Sequence, residues 1–457
     1  MISSSSSKLQ TSIITEKEFN NCLFLQRLPL NSLTVAVDGL VNPIANVSEV
    51  SRRHLSTKQR LAIERSFLSR TAGLKAHLAE LKKEFANIKN IEGLLLFRTN
   101  LQSVRDHYFN TEQVFEYYVD LLHTRSERFR LPTNSSSSVS ASVDMGMLLR
   151  GCDQIAYASL SQGLHPLGHE IPTVICYQDR GEGASILKAG IMLWDSNRNP
   201  AAVIKVVRSA IPLPRLTSIL HECGHQVAHI TNWNQELGEL LYNSILAAGG
   251  PKYLAHIWES WASELAGDFF SLHQSSIASI LGLYEVVAGS AIRIARIIPG
   301  DPHPPGILRL MVGIQALKIV YGSTGPWHDL DRVLRILYPI NAGGAEASKV
   351  ITDSIPLLPA ICKAISRTKM KAFSDKSLDM LLPWDHASPK TLKKFLNKDF
   401  SNFSVDAKML VNHPIVALLG FRLIQMFGRR SHYWIIEQMH KWLVSLALGG
   451  GGGAKTA

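Results

Sequence analysis

The sequence His-Glu-Cys-Gly-His at 221–225 constrains the fold more than any other feature of the chain. It lies within the apolar stretch 220–230, whose pattern predicts a helix. Histidines four positions apart differ by about 40° around a helix, so both imidazoles project from one face and can hold one metal ion. The residues around the motif carry no charge, namely Ile219, Leu220, Cys223, Gly224, Val227 and Ala228. A helix with such a surface has to be buried, and Gly224 allows another backbone to approach it closely.

Zinc is the metal that this arrangement favours. A catalytic zinc site has three protein ligands and one open position for water, and imidazole nitrogens are common ligands. We predict that His221 and His225 bind zinc, and that Glu222 takes a proton from the zinc-bound water and passes it to a leaving amine. Because His-Glu-x-x-His arises by chance in roughly 3 of 100 chains of this composition, a third ligand is the critical further support. The alternative is an amphipathic helix with two half-buried, hydrogen-bonded histidines.

The segment 258–268 supplies the candidate third ligand. Glu264 and Asp268 lie four positions apart on one predicted helical face, so Glu264 can bind the metal while Asp268 orients a ligand histidine. Glu259 competes for the ligand role, but it lies about 140° around the helix from Glu264 and has no aspartate four positions later. The simpler alternative is that Glu264 and Asp268 form an exposed carboxylate pair.

His-Glu-x-x-His followed by a helix with Glu-x-x-x-Asp resembles the gluzincin metallopeptidases. Residues 301–309 read Asp-Pro-His-Pro-Pro-Gly-Ile-Leu-Arg and are similar to the His-Pro-Pro-x-x-x-Arg segment of one gluzincin branch, the CAAX prenyl endopeptidases with their heat-shock and soluble bacterial relatives. By this resemblance, His303 helps to hold the substrate or transition-state carbonyl, and Arg309 has a structural or carboxylate-pairing role. A rigid turn between prolines is the alternative for His303. One departure is Gly267, where that branch usually has alanine.

The resemblance implies a zincin-like metallopeptidase core with a small β-sheet, and the expected fold class is mainly α (α+β). The predicted division has an unassigned N-terminal segment, a helical N-terminal domain, a serine-rich linker, the zincin-like core, a helical C-terminal region and a flexible Gly-rich tail. Their respective bounds are 1–55, 56–131, 132–144, 145–345, 346–448 and 449–457. Whether residues 1–50 act as a pro-segment stays open.

Apolar spacing supports the helical N-terminal domain, and one region carries a β signal. Residues 172–177 and 186–194, separated by a turn at 179–183, are predicted to form a pair of strands. Steps of three and four residues predict two long helices, one with Leu74, Leu78, Leu81, Phe85 and Ile88 and the other with Leu94, Phe97, Leu101, Val104 and Tyr108.

The composition, with 46% hydrophobic residues, excludes a mainly disordered chain. The 48 Lys and Arg against 37 Asp and Glu give a net charge of +11, but the basic residues are scattered, so we expect no nucleic-acid binding. The longest apolar stretches are interrupted by charges, so no transmembrane segment is expected. Five widely spaced cysteines and the lack of a recognisable secretory signal favour a reducing, cytoplasmic location, with a secreted or injected effector as the alternative.

These features predict a zinc metallopeptidase that binds one Zn²⁺ per chain and hydrolyses peptide bonds in a peptide or protein substrate. The strand near 186–194 is expected to pair with an extended substrate. The alternatives are a zinc hydrolase of narrow specificity, including a toxin-like effector, and a catalytically inactive zincin-like binding or scaffold protein. A basic nucleic-acid or membrane-surface binder is a third alternative. The sequence leaves the substrate, the cleavage preference and the oligomeric state open.

Overall fold

The computed structural model of the chain describes residues 15–130, 142–211, 213–388, 411–426 and 430–449. These residues are mainly helical and include two small β-sheets, which confirms the mainly α fold class. Most of the predicted serine-rich linker and of the predicted Gly-rich tail lies outside the described residues.

The described chain divides into two compact units. Unit 1 comprises the described part of 1–47 together with 61–120 and 192–198. Unit 2 comprises 48–60, 121–191 and the described parts of 199–457. The domain boundaries drawn from the sequence stay predictions, and the described residues of 346–448 belong to the same unit as the motif at 221–225.

Nineteen α-helices are present in the described residues. Their bounds are α1 (Glu16–Asp38), α2 (Pro43–Asn46), α3 (Glu49–Arg53), α4 (Thr57–Ala86), α5 (Ile91–His123), α6 (Met145–Leu164), α7 (Thr217–Thr231), α8 (Trp233–Ala247), α9 (Lys252–Ser260), α10 (Ala262–Ser275), α11 (Ile277–Val287), α12 (Ala291–Ala295), α13 (Gly306–Tyr321), α14 (Pro326–Leu337), α15 (Ala345–Ser354), α16 (Leu358–Arg367), α17 (Leu378–Leu381), α18 (Pro414–Met426) and α19 (His432–Gly449). Among these helices, none combines the length and the apolar character that a bilayer span requires.

Unit 2 contains both β-sheets. The strands are β1 (Arg128–Arg130), β2 (Ser142–Asp144), β3 (Val174–Asp179), β4 (Ser185–Leu187) and β5 (Ala202–Val207). The strands β1 and β2 form an antiparallel pair. The second sheet has the order β3-β5-β4, in which β5 is parallel to β3 and antiparallel to β4. This order makes β4 an edge strand of the sheet.

The predicted direct pairing of the strands at 172–177 and 186–194 is wrong, because β5 lies between them. Strand β5 reads Ala-Val-Ile-Lys-Val-Val, and Lys205 is its one residue that is not buried. A strand buried on both faces lacks the alternation of apolar and polar residues by which strands are recognised in a sequence. The predicted second strand is also shorter than expected, since β4 ends at Leu187.

The core of unit 1 is built from one face each of α1, α4 and α5. The rings of Phe85 on α4 and Phe97 on α5 have centroids 5.1 Å apart. The two long helices expected from apolar spacing are therefore present, and their apolar positions pack together. The buried members of this core are Leu30, Leu33, Val37, Leu74, Leu78, Leu81, Phe97, Leu101 and Tyr108.

Helix α1 lies in the N-terminal segment that was unassigned by sequence patterns. The Thr15 hydroxyl accepts a hydrogen bond from the Glu18 backbone N–H, and the Glu18 carboxylate accepts one from the Thr15 N–H, which forms a capping box. Leu30 and Val37 are buried, whereas Phe24 is 59% exposed. Apolar residues therefore lie on more than one face of α1, and the sequence lacks a single periodic stripe.

Helix α7, which carries the motif at 221–225, is in contact with α6, α8, α10 and α11 and with the strands β4 and β5. Ile219, Leu220 and Cys223 on this helix are fully buried. A Cβ atom on Gly224 would lie 2.8 Å from the Cα atom of Gly267 on α10. The two helices therefore cross with no side chain between their backbones, which brings their polar residues close together.

Candidate metal centre

Three of the predicted site residues converge at the crossing of α7 and α10. The Nε2 atoms of His221 and His225 on α7 are 3.0 Å apart. Glu264, in the first turn of α10, places Oε2 3.4 Å from the Nε2 of His221 and Oε1 3.4 Å from the Nε2 of His225. The two histidines and the glutamate are thus arranged so that each offers one ligand atom toward a common point.

The separations among these donor atoms fit a zinc ion. Zinc–ligand bonds of 2.0–2.1 Å in a tetrahedral arrangement place neighbouring ligand atoms about 3.3 Å apart. The distances of 3.0 to 3.4 Å among His221, His225 and Glu264 are close to that value. Two imidazoles and one carboxylate are also the ligand set of many catalytic zinc sites, in which a fourth position stays open.

The predicted single helix across 258–268 is two helices, because α9 ends at Ser260 and α10 begins at Ala262. Glu259 therefore belongs to α9, where it is exposed and pairs with His256 at 3.2 Å. Glu264 belongs to α10 and is buried. The break does not affect the spacing of Glu264 and Asp268, which lie on the same helix.

The carboxylate of Asp268 lies beside the Nδ1 nitrogen of the His221 ring. Its Oδ1 atom lies 3.0 Å from the Nδ1 of His221, so the Nε2 atom of that ring is directed at Glu264 and His225. Arg309 on α13 binds both oxygens of Asp268, with Nε–Oδ2 and Nη2–Oδ1 distances of 2.7 and 2.8 Å. The same guanidinium lies 3.3 Å from the Oε2 of Glu264. Arg309 therefore ties two carboxylates of the site together.

The buried ionisable groups of the site shift one another's pKa values. Burial disfavours the charged form of His221, but hydrogen bonds with Asp268 and Glu264 outweigh it and raise the pKa of His221 to about 10. Burial and the charge of His221 lower the pKa of His225 to about 3. Burial would raise the pKa of Glu264, yet the hydrogen bond and charge of His221 lower it to about 2.

Gly267 lies where α10 passes close to the ring of His221. A Cβ atom at this position would lie 2.7 Å from the Cε1 atom of His221, which is closer than side-chain packing tolerates. Alanine would displace the ring that Asp268 holds. Glycine at position 267 is therefore required by the close crossing of α7 and α10 in this chain.

Glu222 is 6% exposed and lies on the wall of the same cleft as the three convergent residues. Burial raises its pKa to about 7, although the charge of His221 acts in the opposite direction. A carboxylate with a pKa near neutrality can both accept and release a proton at physiological pH, which is the property that a general base requires.

His303 reaches the site from the loop that precedes α13. Its Nε2 atom lies 3.4 Å from the Oε2 of Glu264, and its side chain is 53% exposed. The Nδ1 atom lies 2.5 Å from the Oδ1 of Asp301, which also accepts a hydrogen bond from the backbone N–H of His303 at 3.0 Å. Asp301 fixes which ring nitrogen faces the cleft. Sequence reasoning did not assign it a role, although an aspartate two positions before a candidate histidine is a recognisable signal.

These residues line an open cleft of about 690 Å³ in unit 2. Its walls come from the segment around β4, from α7, α10, α11 and α12, and from the loop with Asp301 and His303. The cleft is lined by all seven of the predicted site residues, namely His221, Glu222, His225, Glu264, Asp268, His303 and Arg309.

Comparisons of the chain with protein-family models, with curated proteins and with solved structures find no significant match.

Proposed function

We propose that this protein is a zinc-dependent metallopeptidase that binds one Zn²⁺ per chain. The observation that carries the proposal is the convergence of His221, His225 and Glu264 on one point in the wall of an open cleft, directly beside Glu222. The mainly helical unit with a small sheet, a motif helix and an edge strand is compatible with the zincin-like core that the sequence resembles. The gluzincin assignment is part of this proposal.

Each step of the proposed peptide hydrolysis can be assigned to particular residues of the cleft. Bound zinc supplies a Lewis acid that polarises the scissile carbonyl and makes water more acidic. The Glu222 carboxylate takes the proton of the attacking water as the new C–O bond forms, and then delivers it to the leaving amine as the peptide C–N bond breaks. When both of its ring nitrogens carry a proton, His303 donates one hydrogen bond to Asp301, which holds the ring in place, and one from Nε2 to the carbonyl oxygen as negative charge develops there.

The edge strand β4 provides a way to hold a peptide. Within the described sheet, β4 pairs with β5 along one side and has no strand along its other side. Ser185 and Ile186 of β4 line the cleft, as do His221 and Glu222. An extended peptide can add to such an edge through its main chain, which places successive peptide bonds beside the proposed zinc ligands.

Metal analysis tests the centre directly. We expect about one zinc per chain by mass spectrometry of the purified protein, and loss of zinc in His225→Ala and Glu264→Ala variants that match the wild type by circular dichroism. The absence of zinc from the wild-type protein, even after reconstitution, would refute the proposed centre.

Peptide-library hydrolysis then tests the activity. Cleavage of many peptides supports a general peptidase, and cleavage of very few supports an enzyme of narrow specificity. Zinc that is retained without hydrolysis of any peptide would refute the peptidase and favour a binding or scaffold role.

A further inference from the structure

Most of the charged groups that line the cleft are paired with one another. Arg309 pairs with Asp268, Arg293 with Glu182 and His303 with Asp301. Lys188 and Arg296 also line the cleft, and within the described residues neither forms an ion pair. Glu222, the proposed general base, also lines the cleft and has no ion pair among the described residues. Lys188 and Arg296 are therefore the two lining cations that no carboxylate of the described protein neutralises.

The backbone of Lys188 is held firmly at the end of β4. The Asn199 side chain donates a hydrogen bond to the Lys188 carbonyl at 2.9 Å, and the Ala189 N–H donates one to the Oε1 of Gln226 at 2.8 Å. Gln226 is fully buried on α7. The backbone at Lys188 is therefore held at the end of β4, where this residue lines the cleft.

Arg296 lies toward the other end of β4. It directly follows α12, and Arg293 on that helix pairs with Glu182, which precedes β4. Residues 182–188 span at most about 20 Å when extended. A peptide that lies along β4 therefore passes Lys188 at one end and the Glu182–Arg293 pair, three residues before Arg296, at the other.

We propose that the cleft selects peptides that carry acidic side chains on both sides of the bond to be cleaved, an inference that rests on the proposed peptidase function. Lys188 and Arg296 are the residues that determine this specificity. The net charge of +11 acts in the same direction, because it attracts acidic chains over a longer range. Partly exposed ion pairs contribute modestly, so two of them favour an acidic peptide by about five- to tenfold.

A binding experiment tests this preference without requiring turnover. The zinc-loaded Glu222→Gln protein is titrated against fluorescein-labelled Glu-Glu-Ala-Leu-Ala-Leu-Glu-Glu and against its counterpart with glutamine at all four acidic positions. An extended octapeptide brackets the distance of about 20 Å, at about 3.3 Å per residue. We expect the acidic peptide to bind about five- to tenfold more tightly by fluorescence anisotropy at low salt, with a smaller difference at high salt.

Charge-reversed variants in the Glu222→Gln background identify the residues responsible. Lys188→Glu and Arg296→Glu should each remove most of the preference for the acidic peptide. Lys363→Glu is the matched control, because Lys363 is exposed on α16 outside the cleft and the substitution changes the net charge equally. Equal binding of the two peptides, or equal losses in Lys188→Glu and Lys363→Glu, would overturn the inference.

The outcomes also separate this inference from the proposed peptidase function. Selective binding of the acidic peptide, with no hydrolysis of either peptide by the wild-type protein, would support an acid-selective cleft and count against the peptidase. Equal hydrolysis of both peptides by the wild type would support the peptidase and overturn the acidic preference.

Discussion

Unit 2 contains two buried pairs of aspartate and arginine that differ in what surrounds them. Asp268 and Arg309 lie at the candidate metal centre, and Asp153 and Arg125 lie in a second cluster behind the sheet. Arg309 donates from Nε and Nη2 to the two oxygens of Asp268 at 2.7 and 2.8 Å, whereas Arg125 reaches both oxygens of Asp153 from Nη2 alone at 2.9 Å. The donor–acceptor distances in the two pairs are similar, and the larger difference lies in their neighbours.

In the cluster around Asp153, the carboxylate and the guanidinium form hydrogen bonds with other groups of the protein. Arg125 also donates hydrogen bonds to the carbonyl oxygens of His54 and Cys176 at 3.0 and 2.8 Å. Asp153 accepts further hydrogen bonds from the backbone N–H of Cys176 at 2.7 Å and from the side chain of Gln59 at 2.8 Å. These partners connect β3, α6 and the start of α4, and none of them lines the cleft. The cluster holds elements of unit 2 together.

The cluster around Asp268 instead leaves coordinating atoms directed at one another and at the cleft. Asp268 binds the Nδ1 of His221, whose Nε2 atom faces the Nε2 of His225 and a carboxylate oxygen of Glu264. Such an arrangement is costly in a buried site unless a cation occupies it. Buried charge by itself therefore does not indicate function, whereas convergent donor atoms at an open cleft do.

The largest effect is expected at the centre of the cleft. Glu222→Gln removes the general base and keeps the size of the side chain, so we expect peptide hydrolysis to fall by about 10³-fold or more, with zinc still bound. Peptide hydrolysis and zinc content are measured on the same preparation. Comparable hydrolysis by wild type and variant would exclude the proposed role of Glu222.

In the cluster around Asp153, a substitution should lower the stability of the protein without affecting zinc binding. Asp153→Asn leaves the charge of Arg125 buried without compensation, and we expect the free energy of unfolding to fall by about 3–5 kcal/mol. Urea denaturation gives this change, and the zinc content of the folded protein should stay at the wild-type value. A loss of zinc without a loss of stability would reverse the distinction between the two clusters.

The substitution Asp268→Asn should weaken zinc binding about 10- to 100-fold, because it removes the carboxylate that pairs with the Nδ1 atom of His221. Competition with a chelator measures the affinity. Asp353→Asn on α15 is the matched control, since Asp353 pairs with Lys349 and does not line the cleft. Equal zinc affinities in the two variants would show that Asp268 has no part in metal binding.

The smallest effect is expected at the helix crossing. In Gly267→Ala the new methyl group meets the ring of His221, and we expect the free energy of unfolding to fall by about 1–2 kcal/mol. Gly73→Ala on α4 is the control, because no atom lies within 4 Å of the added Cβ atom, and it should not destabilise the protein. Equal stabilities of the two variants would contradict the proposed tight crossing.

Five of the seven site residues could be proposed from the sequence because helical spacing fixes which side chains share a face, whereas His303 and Arg309 were proposed only from the resemblance of residues 301–309 to a family segment. The pair of His221 and His225 follows from the spacing within one predicted helix, and the pair of Glu264 and Asp268 follows from the spacing within a second. Asp301 was not assigned, since its role depends on a loop that folds back onto His303. Loop conformation follows from tertiary packing, which residue spacing does not encode.

The fold was predictable in class and in its most periodic helices, and less so elsewhere. Strand β5 was missed because it is buried on nearly every residue, so its apolar run has no period of two. Helix α1 was missed because Phe24 and Leu28 are exposed while Leu30 is buried. In both elements, packing against other parts of the fold determines which residues are buried. The sequence of the element alone does not show which of its residues are in contact with those other parts.

The shortness of β4 has a consequence for which chains the cleft can process. A long exposed edge invites uncontrolled pairing between copies of a protein, but β4 offers only the three residues Ser185–Leu187 and is flanked by Glu182 and Lys188. A globular protein seldom exposes a matching extended stretch on its surface. If β4 receives the substrate, local unfolding of the target becomes the step that limits its degradation, and the stability of the target sets its lifetime.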